Sequence, residues 1–533
     1  MSGELKPEPD RGGRASFSEA FGFGALSFVS GAVLGLGSSI AIARLYGIDV
    51  IGGFALASAP TGIAWFLSTV RERPALIREL AKLPPRHARV TGLFMAVFLF
   101  SFALTAIVCA IATLVTYLLF NGAIGQPDLF LPAVVNLAVY LLVVNTCWNL
   151  DGVFSAFLAG RQLFWIRTQQ ALIYLLGAIV AALVAEPSVW GLTIATSLSY
   201  VLTLIYRLVA VRRWMRLTAP IAEIRAGFRT LPEILWFGIK VTPGSLATGL
   251  STEAGTWILG IFGSVASVGA WNRAWMLGKR LVDLNYRMSE MLLPALVERD
   301  VQADRVGFDR AFLDSLRYMS MVLLLPAAAA GGASVGLMSL FGPGFSQAST
   351  ALELTLLATP LTVMVVLETQ TLLAVDRPLV SSWFSGLRLV LTIGASVPLT
   401  IALGVTGPAL GILAGCAAQF VAQLVYLRRF LDGPIERFWP KRSMFAVAIA
   451  YVAGFGASRA LDSSLSGILG LGVALLAGSV VYCVCLLLVG GIPERDRRRF
   501  EQGIVVRFRR APKGEGTRGP SVPVDEPLER SLT

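Results

Sequence analysis

Apolar residues gather along this chain in fourteen blocks separated by short polar stretches, at 20–45, 50–70, 90–120, 129–159, 163–185, 188–211, 232–261, 265–286, 311–341, 346–375, 379–403, 406–430, 443–460 and 464–491. A helix needs about 20 apolar residues to cross a bilayer, and most of the blocks supply them. Several contain Gly and Pro, which membrane helices tolerate. The pattern predicts an all-α polytopic membrane protein with about 14 transmembrane helices.

The polar stretches carry their charge asymmetrically. Assigned alternately to the two sides of a membrane, one set holds Arg71, Arg73, Arg78, Lys82, Arg86 and Arg89, then Arg161 and Arg167, then Arg207, Arg212, Arg213, Arg216, Arg225 and Arg229. Further along, the same set holds Arg299, Arg305, Arg310, Arg317, Arg377, Arg428, Arg429, Arg437, Lys441 and Arg442. The opposite set holds Arg459, with Arg44 near a span end. Basic loops stay in the cytoplasm, so both termini are expected there and the span count is even. The net charge of +12 is thereby explained by topology and contact with anionic membrane lipids, and no nucleic-acid partner is expected. Hydrophobic residues make up 55% and charged residues 15%, against about a quarter charged in soluble domains. The external loops are too short for a soluble domain; 121–128 is among the longest.

Residues 1–19 are polar, with no apolar core followed by a cleavage site, so the first span is expected to serve as its own insertion signal. Residues 492–533 form a basic, partly disordered cytoplasmic tail in this reading. Cys109, Cys147, Cys416, Cys483 and Cys485 all fall within apolar blocks and are expected to be buried free thiols. His87 is the single histidine, and no metal site or cofactor is expected.

The chain repeats itself weakly. With an offset of 216, Phe21-Gly22 falls on Phe237-Gly238, Leu45-Tyr46-Gly47 on Ile261-Phe262-Gly263, and Gly53 on Gly269. The offset spans six helices, so the two copies share one orientation. This predicts two six-helix bundles as parallel repeats, 20–211 and 232–430, joined by a cytoplasmic linker at 212–231. Two extra C-terminal helices follow at 443–491. The first span of each copy is rich in small residues: Gly31, Gly35, Gly37, Ser38 and Ser39 against Gly244, Ser245, Gly249, Ser251 and Thr252. Small residues let helices approach closely, or line a wet cavity.

Charged residues inside a membrane are costly, and mark functional positions by default. The eighth span carries Asn272, Arg273, Lys279, Arg280, Asp283, Arg287 and Glu290, which at helical spacing share an arc of roughly 120°. Arg287 maps onto Arg71 at the cytoplasmic edge, whereas Arg273, Lys279, Arg280 and Asp283 map onto Ala57, Ile63, Ala64 and Leu67, well inside. Arg273, Lys279, Arg280 and Asn272 are the candidate cavity residues, with Glu253 in span seven and Asp283 as coupling or charge-balancing groups. Glu253 lies at a depth that reaches Arg273 or Lys279. Lys240, Asp151 and Arg388 are secondary candidates, and Glu353 and Glu368 are further buried acids. Internal ion pairing of the same charges is the plain structural alternative. No P-loop, metal-ligand cluster or nucleophile elbow is present, so a transporter rather than an enzyme is expected.

Several stretches resemble polysaccharide transporter proteins. They are Ile42-Ala43-Arg44-Leu45-Tyr46-Gly47 with Gly52-Gly53-Phe54-Ala55-Leu56-Ala57, and Pro74-Ala75-Leu76-Ile77-Arg78-Glu79-Leu80-Ala81. Others are Leu293-Pro294-Ala295-Leu296, Leu324-Leu325-Pro326, Leu340-Phe341-Gly342-Pro343-Gly344-Phe345 and Leu372-Leu373-Ala374-Val375-Asp376-Arg377. That family shares a superfamily with lipid II flippases and multidrug-and-toxin extruders. The acidic motif that lipid II flippases carry after the first span is not evident here. The resemblance implies flipping of an undecaprenyl-diphosphate-linked oligosaccharide, such as an O-antigen or exopolysaccharide precursor, across the bacterial inner membrane by alternating access. The lipid-linked oligosaccharide and membrane lipids are then the expected partners, with polysaccharide polymerase or assembly proteins beside them. A cation-coupled drug or small-molecule antiporter, a lipid II flippase and a membrane glycosyl-transfer enzyme are the competing readings.

Overall fold

The computed structural model describes residues 17–69, 72–289, 304–432, 440–465 and 467–491, with Leu296, Arg299 and Gln302. Among the described residues there are sixteen α-helices and no strand. A first set comprises α1 (Phe17–Ser68), α2 (Glu72–Ala81), α3 (Ala88–Leu118), α4 (Phe130–Ala138), α5 (Asn145–Ala156), α6 (Gly160–Val184) and α7 (Val189–Val211). A second comprises α8 (Ile221–Phe262), α9 (Val265–Ser289), α10 (Arg305–Gly332), α11 (Ser334–Ser339), α12 (Ser349–Ala374), α13 (Pro378–Leu403) and α14 (Thr406–Leu427). The pair α15 (Lys441–Ser464) and α16 (Gly467–Leu488) follows and packs on α10.

α1 is 52 residues long, about 78 Å of helix against a hydrocarbon core of about 30 Å. Gly47 divides it, with φ 75° and ψ 172°, a conformation open to glycine and strained for any residue with a Cβ. α1 is therefore two spans. Gly263, 216 residues on, ends α8 just before α9. Both copies of the repeat thus place a glycine at the corresponding turn. Eleven segments among the described residues have the length and hydropathy to cross a membrane, and Val33–Ser68 is one of them. α8, rich in Gly, Ser and Thr, and α9, with its charged face, fall outside the eleven. Counting α1 twice and adding α8 and α9 restores the fourteen expected spans.

Two helices contain wider turns. Leu119–Ala123 continues α3 as π-helix, and Val139–Val144 joins α4 to α5 as a second π segment. α8 starts at Ile221, inside the stretch expected as a linker. Its first part lies on α3 because both helices lack side chains at the crossing. A Cβ on Gly92 would meet the carbonyl of Glu223 at 2.5 Å, and one on Gly227 the carbonyl of Gly92 at 2.6 Å.

Some charges expected in the inner loops lie within helices. Arg207 is in α7, 3% exposed, and Arg317 is in α10, 4% exposed. The loop count misplaced both because each sits within a few turns of a helix end and has an acidic partner, which lets it be buried. The cysteines also differ from expectation. Cys147 and Cys416 are buried, Cys109 and Cys485 half-buried, and Cys483 exposed, because α16 turns one side outward from the bundle.

The largest buried cluster draws on both sets of helices: Ile42, Ile51 and Leu56 of α1 pack with Leu259, Trp271, Phe341, Phe345 and Leu352. The two sets also meet backbone to backbone. A Cβ on Gly52 would run into the carbonyl oxygen of Val265, and one on Gly269 into that of Ile48. The contact is reciprocal and lies one turn from Gly47 and Gly263. Arg44 Nε donates to the Leu340 carbonyl at 2.8 Å at the same end. Nearby, Arg459 Nη1 donates to Glu353 Oε1 at 2.8 Å, and Ser334 Oγ to the same oxygen at 2.6 Å.

Candidate functional site

The seam between the two sets is built by α1 facing α9. Gly35 and Ser39 are four residues apart, hence on one side of α1. Opposite them, Arg273, Met276 and Arg280 repeat at helical spacing on α9. Arg273 Nη1 donates to Ser39 Oγ at 2.7 Å, and Ser39 Oγ lies 3.4 Å from Met276 Sδ. Arg280 takes the space left by the missing side chain at Gly35, where a Cβ would stand 2.7 Å from its guanidinium. Arg273 is 8% exposed and its Nε has no hydrogen-bond partner. Lys279 and Arg280 are exposed, although they lie some 14 residues along α9, about 21 Å from the turn at Gly263.

Three directions around α9 fix where these cations look. Gly278 packs against Thr355 of α12, at 2.5 Å from a built Cβ. One residue on, Lys279 turns towards α8 and lies within electrostatic reach of Glu253. One further, Arg280 turns to α1. Lys279 is thus near α8 and Arg280 lies against α1. Glu253 rests on Gly62 of α1, with its carboxyl carbon 2.7 Å from a built Cβ. Asn272 is half-buried. The side chains of Lys240 and Asp283 lie outside the described residues.

An aromatic group not singled out from the sequence adjoins Glu253. Trp65 of α1 meets Tyr140 edge-on at 5.4 Å and Trp148 at 5.9 Å. Tyr140 meets Tyr200 at 6.0 Å and lies within electrostatic reach of Glu253. Arg73 stacks its guanidinium over Trp148 at 3.8 Å from the ring centre. Tyr140 and Trp148 are eight residues apart, which in an α-helix would separate their directions by about 80°. The π segment at Val139–Val144 turns less per residue, and both rings reach Trp65.

The other candidates sit apart from this seam. Asp151 is held by Arg207, with Nε to Oδ1 at 2.8 Å, in a pair internal to the first set. Next to it, Asn145 Nδ2 donates to Ser101 and Thr105, each at 2.8 Å. Arg388 is buried on a face of α13 shared with Ser381, Ser385, Thr392, Ser396 and Thr400. That face packs on Gly411 and Gly415 of α14. Glu353 is taken by Arg459, and Glu368 is buried with neither carboxylate oxygen hydrogen-bonded. Removing the Asp151 carboxylate would strand a buried guanidinium, at a cost of about 3–5 kcal/mol. Asp151→Ala is therefore expected to lower the melting temperature of the purified protein clearly, as read by intrinsic fluorescence. The Asp151→Ala, Arg207→Leu double variant should recover much of the loss.

The described helices define a multi-pass α-helical membrane protein, and solved structures share its fold. A lipid II flippase, MurJ, in an inward closed conformation matches with a TM-score of 0.62 at 12% identity, covering 89% of this chain and 99% of that one. An inward-facing multidrug resistance MATE family transporter of the MOP superfamily matches with a TM-score of 0.54 at 16% identity, over 78% and 95%. A eukaryotic MATE transporter, AtDTX14, matches with a TM-score of 0.50 at 16% identity, over 79% and 98%. At these identities the likeness is one of fold. No curated protein matches the chain in sequence. Residues 20–298 match the polysaccharide biosynthesis protein family, and the chain belongs to it.

Proposed function

We propose that the chain flips an undecaprenyl-diphosphate-linked oligosaccharide from the inner to the outer leaflet of the bacterial cytoplasmic membrane, with both its termini in the cytoplasm. Residues 20–211 and 232–430 act as two six-helix halves that rock about the seam, and residues 443–491 are an addition to this pair. One observation carries the reading: Lys279 and Arg280 are exposed about midway along α9, a helix this reading places in the membrane. Charges there need water or a polar cargo. A diphosphate suits a lysine beside an arginine, whose guanidinium forms paired, charge-assisted hydrogen bonds with phosphate oxygens. Family membership supports a polysaccharide precursor as the cargo. Glu253 near Lys279 is a charge-balancing group when the site is empty.

A drug antiporter of the same fold is the second reading, favoured by the aromatic rings beside Glu253. A deletion strain separates the two. Export predicts that lipid-linked oligosaccharide accumulates in radiolabelled lipid extracts while surface glycan disappears. Unchanged surface glycan with increased drug sensitivity would overturn the export reading.

A further inference from the structure

We propose that Trp65, Tyr140 and Trp148 form a wall that binds a pyranose ring of the cargo through its apolar C–H face. The inference rests on the export reading for the cargo, and on three independent observations for the wall.

The first is placement. Trp65, Tyr140 and Tyr200 are half-buried and Trp148 is exposed, while the rings remain in edge-to-face contact with one another. In this they differ from Phe154 and Phe157 of the same set of helices, which are sealed. The second is chemistry at the margins. Tyrosine hydroxyls, and the Glu253 carboxylate within electrostatic reach of Tyr140, can hydrogen-bond to sugar hydroxyls at the ring edge, while the indoles offer broad apolar faces. Sugars present the same division, with C–H groups on the faces and hydroxyls around the rim. The third is charge. An organic cation could also use aromatic rings, but Arg73 already lies over Trp148, and Lys279 and Arg280 outnumber Glu253 nearby. That balance repels a cationic ligand and suits a neutral ring attached to a diphosphate. The π segment in Val139–Val144 is what holds Tyr140 in the group.

The test uses the purified full chain in phosphatidylcholine nanodiscs free of glycoside detergent. Saturation-transfer NMR is recorded with methyl glycosides of glucose, galactose and N-acetylglucosamine at millimolar concentration. Transfer is expected to the C–H protons of one ring face for at least one of them. Trp65→Leu should bind about tenfold more weakly, one aromatic face being lost. Trp65→Phe, which keeps a ring, should bind nearly as well as the wild type, and so should Trp383→Leu, whose indole is 81% exposed on α13. A folding defect would show as a shifted melting temperature; Trp148→Leu then serves as the second variant. No transfer to any glycoside in a wild-type protein that restores surface glycan would overturn the wall and leave the export reading standing. So would equal binding in the Leu variants, or Trp65-dependent binding of tetraphenylphosphonium in place of the glycosides.

Discussion

A strain whose only copy of the protein carries Arg280→Ala is expected to lose its surface glycan while the variant stays in the membrane at normal levels. Arg280 is the exposed cation that α1 accommodates by having glycine at position 35. Because it is exposed, its removal strands no buried partner and should hardly change stability. Because it lies midway along α9, which the proposed reading places in the membrane, its loss removes a bidentate donor from the proposed diphosphate path. Charge-assisted contacts of this kind contribute about 1.5–3 kcal/mol, or about 10- to 150-fold in the binding of a phosphate cargo. Arg280→Lys, which keeps the charge and loses the fork, should fall in between. Normal glycan on cells carrying Arg280→Ala would remove the central residue of the proposed site. Loss of glycan together with loss of the protein from membranes would mean a structural role instead.

Gly52→Val should have the second large effect, by a different route. The helix crossing at Gly52 and Gly269 leaves no room for a side chain, because what a Cβ would meet is the backbone of the facing helix. Backbone yields far less than a side-chain tip, and overpacking of this kind costs about 1–3 kcal/mol. The contact joins the two sets of helices beside the turns at Gly47 and Gly263, which the proposed topology puts outside, so in the proposed cycle that cost falls on the externally closed arrangement. The proposed rocking equilibrium would shift about 5- to 150-fold towards an externally open form. Val268, buried at the same crossing, supplies the reporter. A Val268→Cys thiol should react with a membrane-impermeant maleimide much faster in the Gly52→Val background, and surface glycan should fall. Unaltered labelling with normal glycan would mean that the crossing is not a moving seal.

Much of the seam is legible in the sequence. The charged arc of α9 follows from spacing alone, and the small residues of span one foretell a close neighbour. Gly35 and Ser39 are the positions that receive the arginines. The offset of 216 pairs Gly47 with Gly263, and each ends a helix in the structure. Partner choice is less visible. By depth, Glu253 suits either Arg273 or Lys279; the structure places it near Lys279 and gives Arg273 to a serine on another helix. Depth arguments fix a level in the membrane but not a direction around the helix. The aromatic wall is invisible for a related reason. Trp65, Tyr140, Trp148 and Tyr200 come from α1, the π segment, α5 and α7, and a π turn breaks the period on which side-chain direction is read. Arg207 reads as a loop charge because a charge near a span end looks the same in sequence whether it faces water or a buried aspartate.

The helical start of α8 inside the expected linker has a mechanical meaning. α8 is a single rod of 42 residues, about 63 Å from end to end. Its N-terminal part is clamped to α3 at Gly92 and Gly227, and its C-terminal part belongs to the second set of helices. In the proposed rocking, tilting the second set would load this rod like a crankshaft with one end fixed. Pro232 and Pro243 interrupt its hydrogen-bond ladder between clamp and seam, so flexure concentrates at those two joints. In that proposed motion the connection between the halves would work as a sprung arm that stores the tilt and returns it, where a slack tether would let the halves drift independently.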